Sequence, residues 1–154
     1  MATVTPTLTL ASTDAFSDAL SFSVTTNLIT TAPSAGITRV STDENPFGEG
    51  AGVLITEANT TGTVAASGVF IYIKHLGVLA SDGTTACHAS NDFITVSNED
   101  RDYNFGKLQP GEFLFLPLMP FDGTDNGTEA GGIKVVKNSA AVMIEYAYFT
   151  RSTS

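Results

Sequence analysis

The chain has 154 residues, only 15% of them charged, and its sixteen acids against seven lysines and arginines give a formal net charge of −9. Ordinary domains carry about 25% charged residues, and an acidic chain without a basic patch repels nucleic acid and anionic lipid. We therefore expect no nucleic-acid partner and no membrane partner, and the length predicts a single domain over residues 1–154.

The opening run has the period of a β-strand. Threonines occupy the odd positions from 3 to 9, and the even positions are Val4, Pro6, Leu8 and Leu10. Because proline cannot donate to a strand ladder, Pro6 indicates a strand that lies at an edge. Residues 1–15 are therefore predicted as an N-terminal arm or edge strand.

The same period-2 pattern recurs along the rest of the chain, with Gly, Asn, Asp and Pro clusters between the runs. The predicted strands are residues 20–25, 37–42, 53–58, 68–76, 93–97, 103–108, 112–118, 133–137 and 140–151. About eight to ten short strands without a helix predict an all-β fold, and we favour a jelly-roll-like antiparallel β-sandwich. An immunoglobulin-like sandwich is the alternative, but the chain has no Trp and only one Cys for its Cys…Trp…Cys pattern.

Several predicted strands are apolar on both faces, and the run "KLQPGEFLFLPL" (107–118) is the clearest. Pro110 and Gly111 predict a turn. In the strand that follows, Phe113 and Phe115 share one face, and Leu114, Leu116 and Leu118 share the other. Since an antiparallel sheet usually exposes one face to water, a loop, the arm or a partner must cover the second face.

We expect association with other protein to explain these two-sided strands, because large exposed apolar patches on soluble proteins usually mark interfaces. Cover by a loop or by the arm is the alternative. The residues predicted for this association are Leu8, Leu10, Phe113, Phe115, Tyr146, Tyr148 and Phe149.

Candidates for catalysis and metal binding are few. Cys87 and His88 are adjacent, so on a strand they would point to opposite faces, and adding His75 gives no metal-ligand spacing. The acidic loop 122–129 offers oxygen ligands, but the twelfth position of an EF-hand template falls on Ile133 rather than on Glu. We expect no enzyme activity, no metal and no cofactor.

Several motifs together resemble a family of small all-β virion proteins from marine tailed phages. They are "ATVTPTLTLASTDAFSDALSFSVT", "VFIYIKHL", "NDFITVSN", "LQPGEFLFLPL" and "AAVMIEYAYFTR", and they cover most of the chain. The resemblance implies a structural protein, a capsid decoration or cement protein in the first place, with tail, fibre or baseplate components as the alternative. It brings no catalytic residues.

The expected function is therefore binding alone. We expect a homotrimer that is made in the host cytoplasm, binds the major capsid protein on the outside of the phage head and stabilises the head. The lone Cys87 fits synthesis in a reducing compartment. The arm, residues 2–12, is the candidate for strand addition to a neighbour.

Overall fold

The structure is a computed structural model, and it describes residues 2–5, 7–12, 20–25, 28–30, 37–43, 52–55, 69–98, 104–118 and 132–150. Every regular element in these ranges is a β-strand, and all strand pairs are antiparallel. The strands are β1 (Ala2–Val4), β2 (Thr7–Ser12), β3 (Leu20–Thr25), β4 (Leu28–Thr30), β5 (Thr38–Ser41), β6 (Val53–Ile55), β7 (Val69–Leu79), β8 (Ile94–Asn98), β9 (Asn104–Leu108), β10 (Phe113–Leu118), β11 (Ile133–Lys137) and β12 (Val142–Thr150). The prediction of an all-β antiparallel fold is confirmed, while the jelly-roll arrangement, the single domain and the extended arm stay predictions.

Two four-stranded sheets contain most of these strands, in the orders β10-β7-β12-β5 and β6-β11-β8-β9. The period-2 pattern explains how each strand buries one face: in β7, for example, Ile71 and Ile73 are buried while Phe70 and Tyr72 are half-buried. One hydrophobic cluster takes buried residues from both sheets: Val40, Leu54, Ile71, Ile73, Ile94, Val96, Leu108, Ile133, Val135, Val142, Ile144, Tyr146 and Tyr148.

The first four strands form a long N-terminal hairpin. Its register runs unchanged from the pair Ala2–Thr30 to the pair Ser12–Leu20. Along the chain, β1 ends at Val4 and β2 begins at Thr7. The sequence pattern did not indicate β4, which contacts β12.

Strand β7 extends three residues beyond its predicted end because it contains a bulge. Three residues, Leu76 to Val78, separate the pair His75–Ile144 from the pair Leu79–Val142, whereas β12 has only Met143 between the same pairs. Gly77 has a φ of +79°, which glycine adopts without strain. The extra residues bend the strand locally, as bulges do.

Candidate interaction surface

A tight turn positions the strand with two apolar faces. The N–H of Glu112 donates to the carbonyl of Gln109 (3.0 Å), and Gly111 has a φ of +89°, as the third residue of a type II turn requires. The side chain of Glu112 also accepts from the N–H of Gln109 at 2.8 Å. The turn predicted at Pro110 and Gly111 is therefore confirmed.

The same turn joins β10 to β7 through a second bulge, which lies opposite His75. The N–H of Gly111 donates to the carbonyl of His75, and the N–H of His75 donates to the carbonyl of Glu112. Gly111 and Glu112 thus lie opposite the single residue His75. Beyond this bulge, β10 pairs in register with β7 from Phe113–Lys74 to Leu118–Val69. This register fixes which face of β10 meets the core.

The leucine face of β10 is the inner one. Leu114 and Leu116 pack against the hydrophobic cluster, whereas 60% of Phe113 is exposed. The ring of Phe115 stacks on Phe70, with 5.4 Å between centroids and 21° between planes. The phenylalanine face therefore lies on the side of the sheet away from the core.

Neighbouring strands extend this surface, and three rows cross it on β10, β7 and β12. The rows are Pro117, Phe70 and Phe149, then Phe115, Tyr72 and Ala147, then Phe113, Lys74 and Glu145. We call Phe70, Tyr72, Phe113, Phe115 and Phe149 the outer aromatic face. Ala147, the smallest member of the rows, is only 2% exposed.

Charged groups border the outer aromatic face at the third row. Arg39 on β5 lies 3.1 Å from Glu145 (Nε to Oε2), and the Tyr72 hydroxyl donates to Oε1 of the same carboxylate at 3.2 Å. Lys74 is the cross-strand neighbour of Glu145. Burial, together with the hydrogen bond and the negative charge of Glu145, raises the pKa of Tyr72 above its ordinary value.

The predicted interface residues fall into three groups. Tyr146 and Tyr148 belong to the hydrophobic cluster and are only 4% and 6% exposed. Phe113, Phe115 and Phe149 lie on the outer aromatic face. The third group is in the arm, where 50% of Leu8 is exposed and the side chain of Leu10 lies outside the described residues.

Phe70 and Tyr72 complete the surface but were not among the predicted interface residues. The alternation in "VFIYI" places them on the opposite face of the strand from Ile71 and Ile73, so the sequence already indicated that the two residues share a face. The sequence pattern did not indicate that β7 pairs with β10, and this pairing brings Phe70 next to Phe115. The interface role of the whole set stays a prediction.

The histidines and the cysteine do not form a reactive cluster. Nδ1 of the buried His75 accepts from the N–H of Gly77 at 3.0 Å, and its Nε2 donates to the carbonyl of Asp92 at 2.6 Å. Burial and the charge of Asp92 raise the pKa of the Cys87 thiol, which disfavours the reactive thiolate. His75 thus fastens the end of the loop between β7 and β8 to the bulge in β7.

That loop is shaped by local hydrogen bonds. Hydrogen bonds from Thr85 and Thr84 lower the pKa of Asp82 to about 2. Val78 and Ala86 form an isolated antiparallel bridge, so the segment between them folds back as a short hairpin.

Among the residues that the structure describes, no three His, Cys, Asp or Glu side chains group as metal ligands. The acidic loop 122–129, whose sequence offers oxygen ligands but does not fit the EF-hand template, lies outside those residues. No helix in the described ranges is long and apolar enough to cross a membrane.

Comparison with known proteins adds no assignment. No protein-family model, no curated protein and no solved structure matches the chain.

Proposed function

We propose that the chain is a structural protein of a tailed-phage virion that decorates the outside of the head and acts as a cement protein. The observation that carries the proposal is the outer aromatic face, a sheet surface on which Phe113 is 60% exposed. Such a surface suits contact with another folded protein, because aromatic residues are enriched in the cores of interfaces. The resemblance of the sequence motifs to phage virion proteins is the reason for proposing that the chain acts in the virion, on its head.

In this proposal the fold is a jelly-roll-like β-sandwich, and the chain assembles as a homotrimer that bridges neighbouring subunits of the major capsid protein. The arm, residues 2–12, contacts a neighbour. Binding alone stabilises the head, because each copy adds contact area across a seam and repeated weak contacts combine by avidity.

The deciding experiment is to count the copies on purified particles and to heat particles that lack the protein. Hundreds of copies on the head, and heads that release DNA at a lower temperature without the protein, are expected. Adding back the purified chain should restore the heat resistance. A few copies located at the tail would overturn the head assignment and indicate a tail, fibre or baseplate adaptor instead.

A further inference from the structure

Pro117 lies in a strand at the edge of a sheet. Among the strands that the structure describes, β10 pairs only with β7, so its other edge has no strand beside it. The backbone N–H and C=O groups along such an edge are a template for pairing with another chain. Pro117 is exposed, and the direction of its nitrogen determines whether the missing N–H group affects the sheet or the open edge.

The register with β7 shows that this nitrogen faces the open edge. Hydrogen-bonded and non-hydrogen-bonded positions alternate along an antiparallel pair. The bulge opposite His75 is hydrogen-bonded to that residue, so the next hydrogen-bonded positions along β10 are Leu114 and Leu116. Pro117 therefore lies at a non-hydrogen-bonded position, where β7 loses no bond through the missing N–H group.

Without this proline, β10 would have the character of an aggregation-prone segment. Its six residues, Phe113–Leu118, carry no charge. Short uncharged segments of high β-propensity and without proline are the ones that stack into intermolecular sheets. The N–H groups of Phe113 and Phe115 face the open edge, but Pro117 has none to add to this row. Its ring also places a carbon where an incoming strand needs a hydrogen.

The other outermost strands of the two four-stranded sheets are protected in different ways. Strand β5 carries the exposed Arg39 and β9 carries the exposed Lys107, and charged side chains oppose pairing between edges. Strand β6 has only three residues, and very short edge strands also pair poorly. Of these four described strands, β10 alone has neither a charge nor a short length, so its protection depends on Pro117.

We infer that Pro117 protects the open edge of β10 and prevents copies of this chain from pairing there, edge to edge, into a continuous sheet. The partner that it excludes is a second copy, because the same strand run antiparallel offers a matching row of N–H and C=O groups. This contact differs from the self-association proposed above, which uses the outer aromatic face. The inference does not depend on a role in the virion.

Hydrogen exchange on the unmodified chain tests the geometry of the edge. After correction for intrinsic rates, the N–H group of Phe115 should exchange more than about tenfold faster than those of Leu114 and Leu116, which are bonded to β7. Slow exchange at Phe115 would mean that the edge is already paired or covered, and it would overturn the inference. Because this measurement needs no substitution, it decides the question even if a variant at Pro117 does not fold.

Pro117→Thr tests the protection itself, since it restores the N–H group with a residue that suits a strand. We expect the variant to form assemblies larger than any formed by the unmodified chain in sedimentation, and to bind thioflavin T, while the far-UV circular dichroism of fresh samples stays unchanged. Pro110→Thr, the same substitution in the turn before β10, is the matched control and should not change the size. An unchanged size for Pro117→Thr would overturn the inference, and so would equal association of Pro110→Thr.

Discussion

Gly52, just before β6, has a φ of +82° and almost no space around it. Its carbonyl accepts from the N–H of Val135 at 2.9 Å, and a Cβ at this position would overlap the carbonyl oxygen of Val135. At Gly83 the φ is +68°, but nothing lies within 4 Å of a Cβ. Alanine substitutions at these two glycines therefore distinguish the energetic cost of steric overlap from the cost of backbone strain.

Gly52→Ala should lower the free energy of unfolding by about 3 kcal/mol or more, because overlap adds to the cost of a left-handed conformation. Gly83→Ala, the matched control, should cost about 1 kcal/mol from backbone strain alone. Urea unfolding followed by circular dichroism measures both. Equal losses in the two variants would contradict the close approach of Gly52 to β11.

His75→Phe should lower the free energy of unfolding by about 3 kcal/mol, because the N–H of Gly77 and the carbonyl of Asp92 both lose their partner. His88 is exposed, and His88→Phe should change it by less than about 0.5 kcal/mol. Hydrogen exchange should also become faster in the loop between β7 and β8 of the His75 variant. Unchanged exchange in that loop would argue against the role of His75 as its anchor.

Tyr72 gives a prediction at alkaline pH. Its pKa is raised by burial and by Glu145, so this part of the stability is complete below about pH 10, the unfolded value, and is lost as the pH rises through the folded value. Glu145→Gln removes the negative charge and should lower the pKa of Tyr72. NMR titration of the tyrosine ring carbons measures this shift, and Tyr72→Phe identifies the signal. An identical titration in Glu145→Gln would exclude the contribution of Glu145.

The local sequence was sufficient to predict the conformation of some of these residues but not the contacts of others. The turn at Pro110 and Gly111 could be predicted because four consecutive residues determine it. The hydrogen bonds of His75 could not, because Asp92 reaches the ring only after the chain has passed through the loop that follows β7. Residues distant in sequence meet through packing, which a period-2 pattern does not encode.

At the scale of the element, β10 shows what alternation does and does not determine. Its two layers were separated correctly, but phenylalanine and leucine are both apolar, so hydrophobicity gave no reason to choose the inner one. The bulge at His75 and the register with β7 make that choice, and both depend on a partner strand. The same limit explains why Tyr146 and Tyr148, which were predicted for an interface, pack in the hydrophobic cluster.

Two substitutions in β10 test the assignment of its faces. Leu114→Ala should lower the free energy of unfolding by about 2 kcal/mol, because it removes methyl groups that pack against the core. Phe113→Ala, next to it on the exposed face, should cost only about 0.5 kcal/mol. Denaturant unfolding should be run under conditions where the chain is monomeric. A larger loss for Phe113→Ala would reverse the assignment of inner and outer layers.

At the scale of the whole molecule, the net charge is unevenly distributed along the sequence. The described residues carry five acids and five bases: Asp43, Asp82, Asp92, Glu112, Glu145, Arg39, Lys74, Lys107, Lys134 and Lys137. The surplus of acids behind the charge of −9 therefore belongs entirely to the other segments of the chain. The self-association proposed above, through the outer aromatic face, would bring together copies that each carry this negative charge.

Salt should consequently strengthen self-association. Raising the ionic strength from about 0.01 M to about 0.15 M shortens the Debye length from about 30 Å to about 8 Å, which screens the repulsion between acidic segments and leaves the apolar contact intact. Sedimentation at both salt concentrations should show more trimer at the higher one. Phe113→Asp should remain monomeric in both and serves as the control. Weaker association at the higher salt concentration would mean that attraction between opposite charges, rather than the proposed apolar contact through the outer aromatic face, holds the copies together.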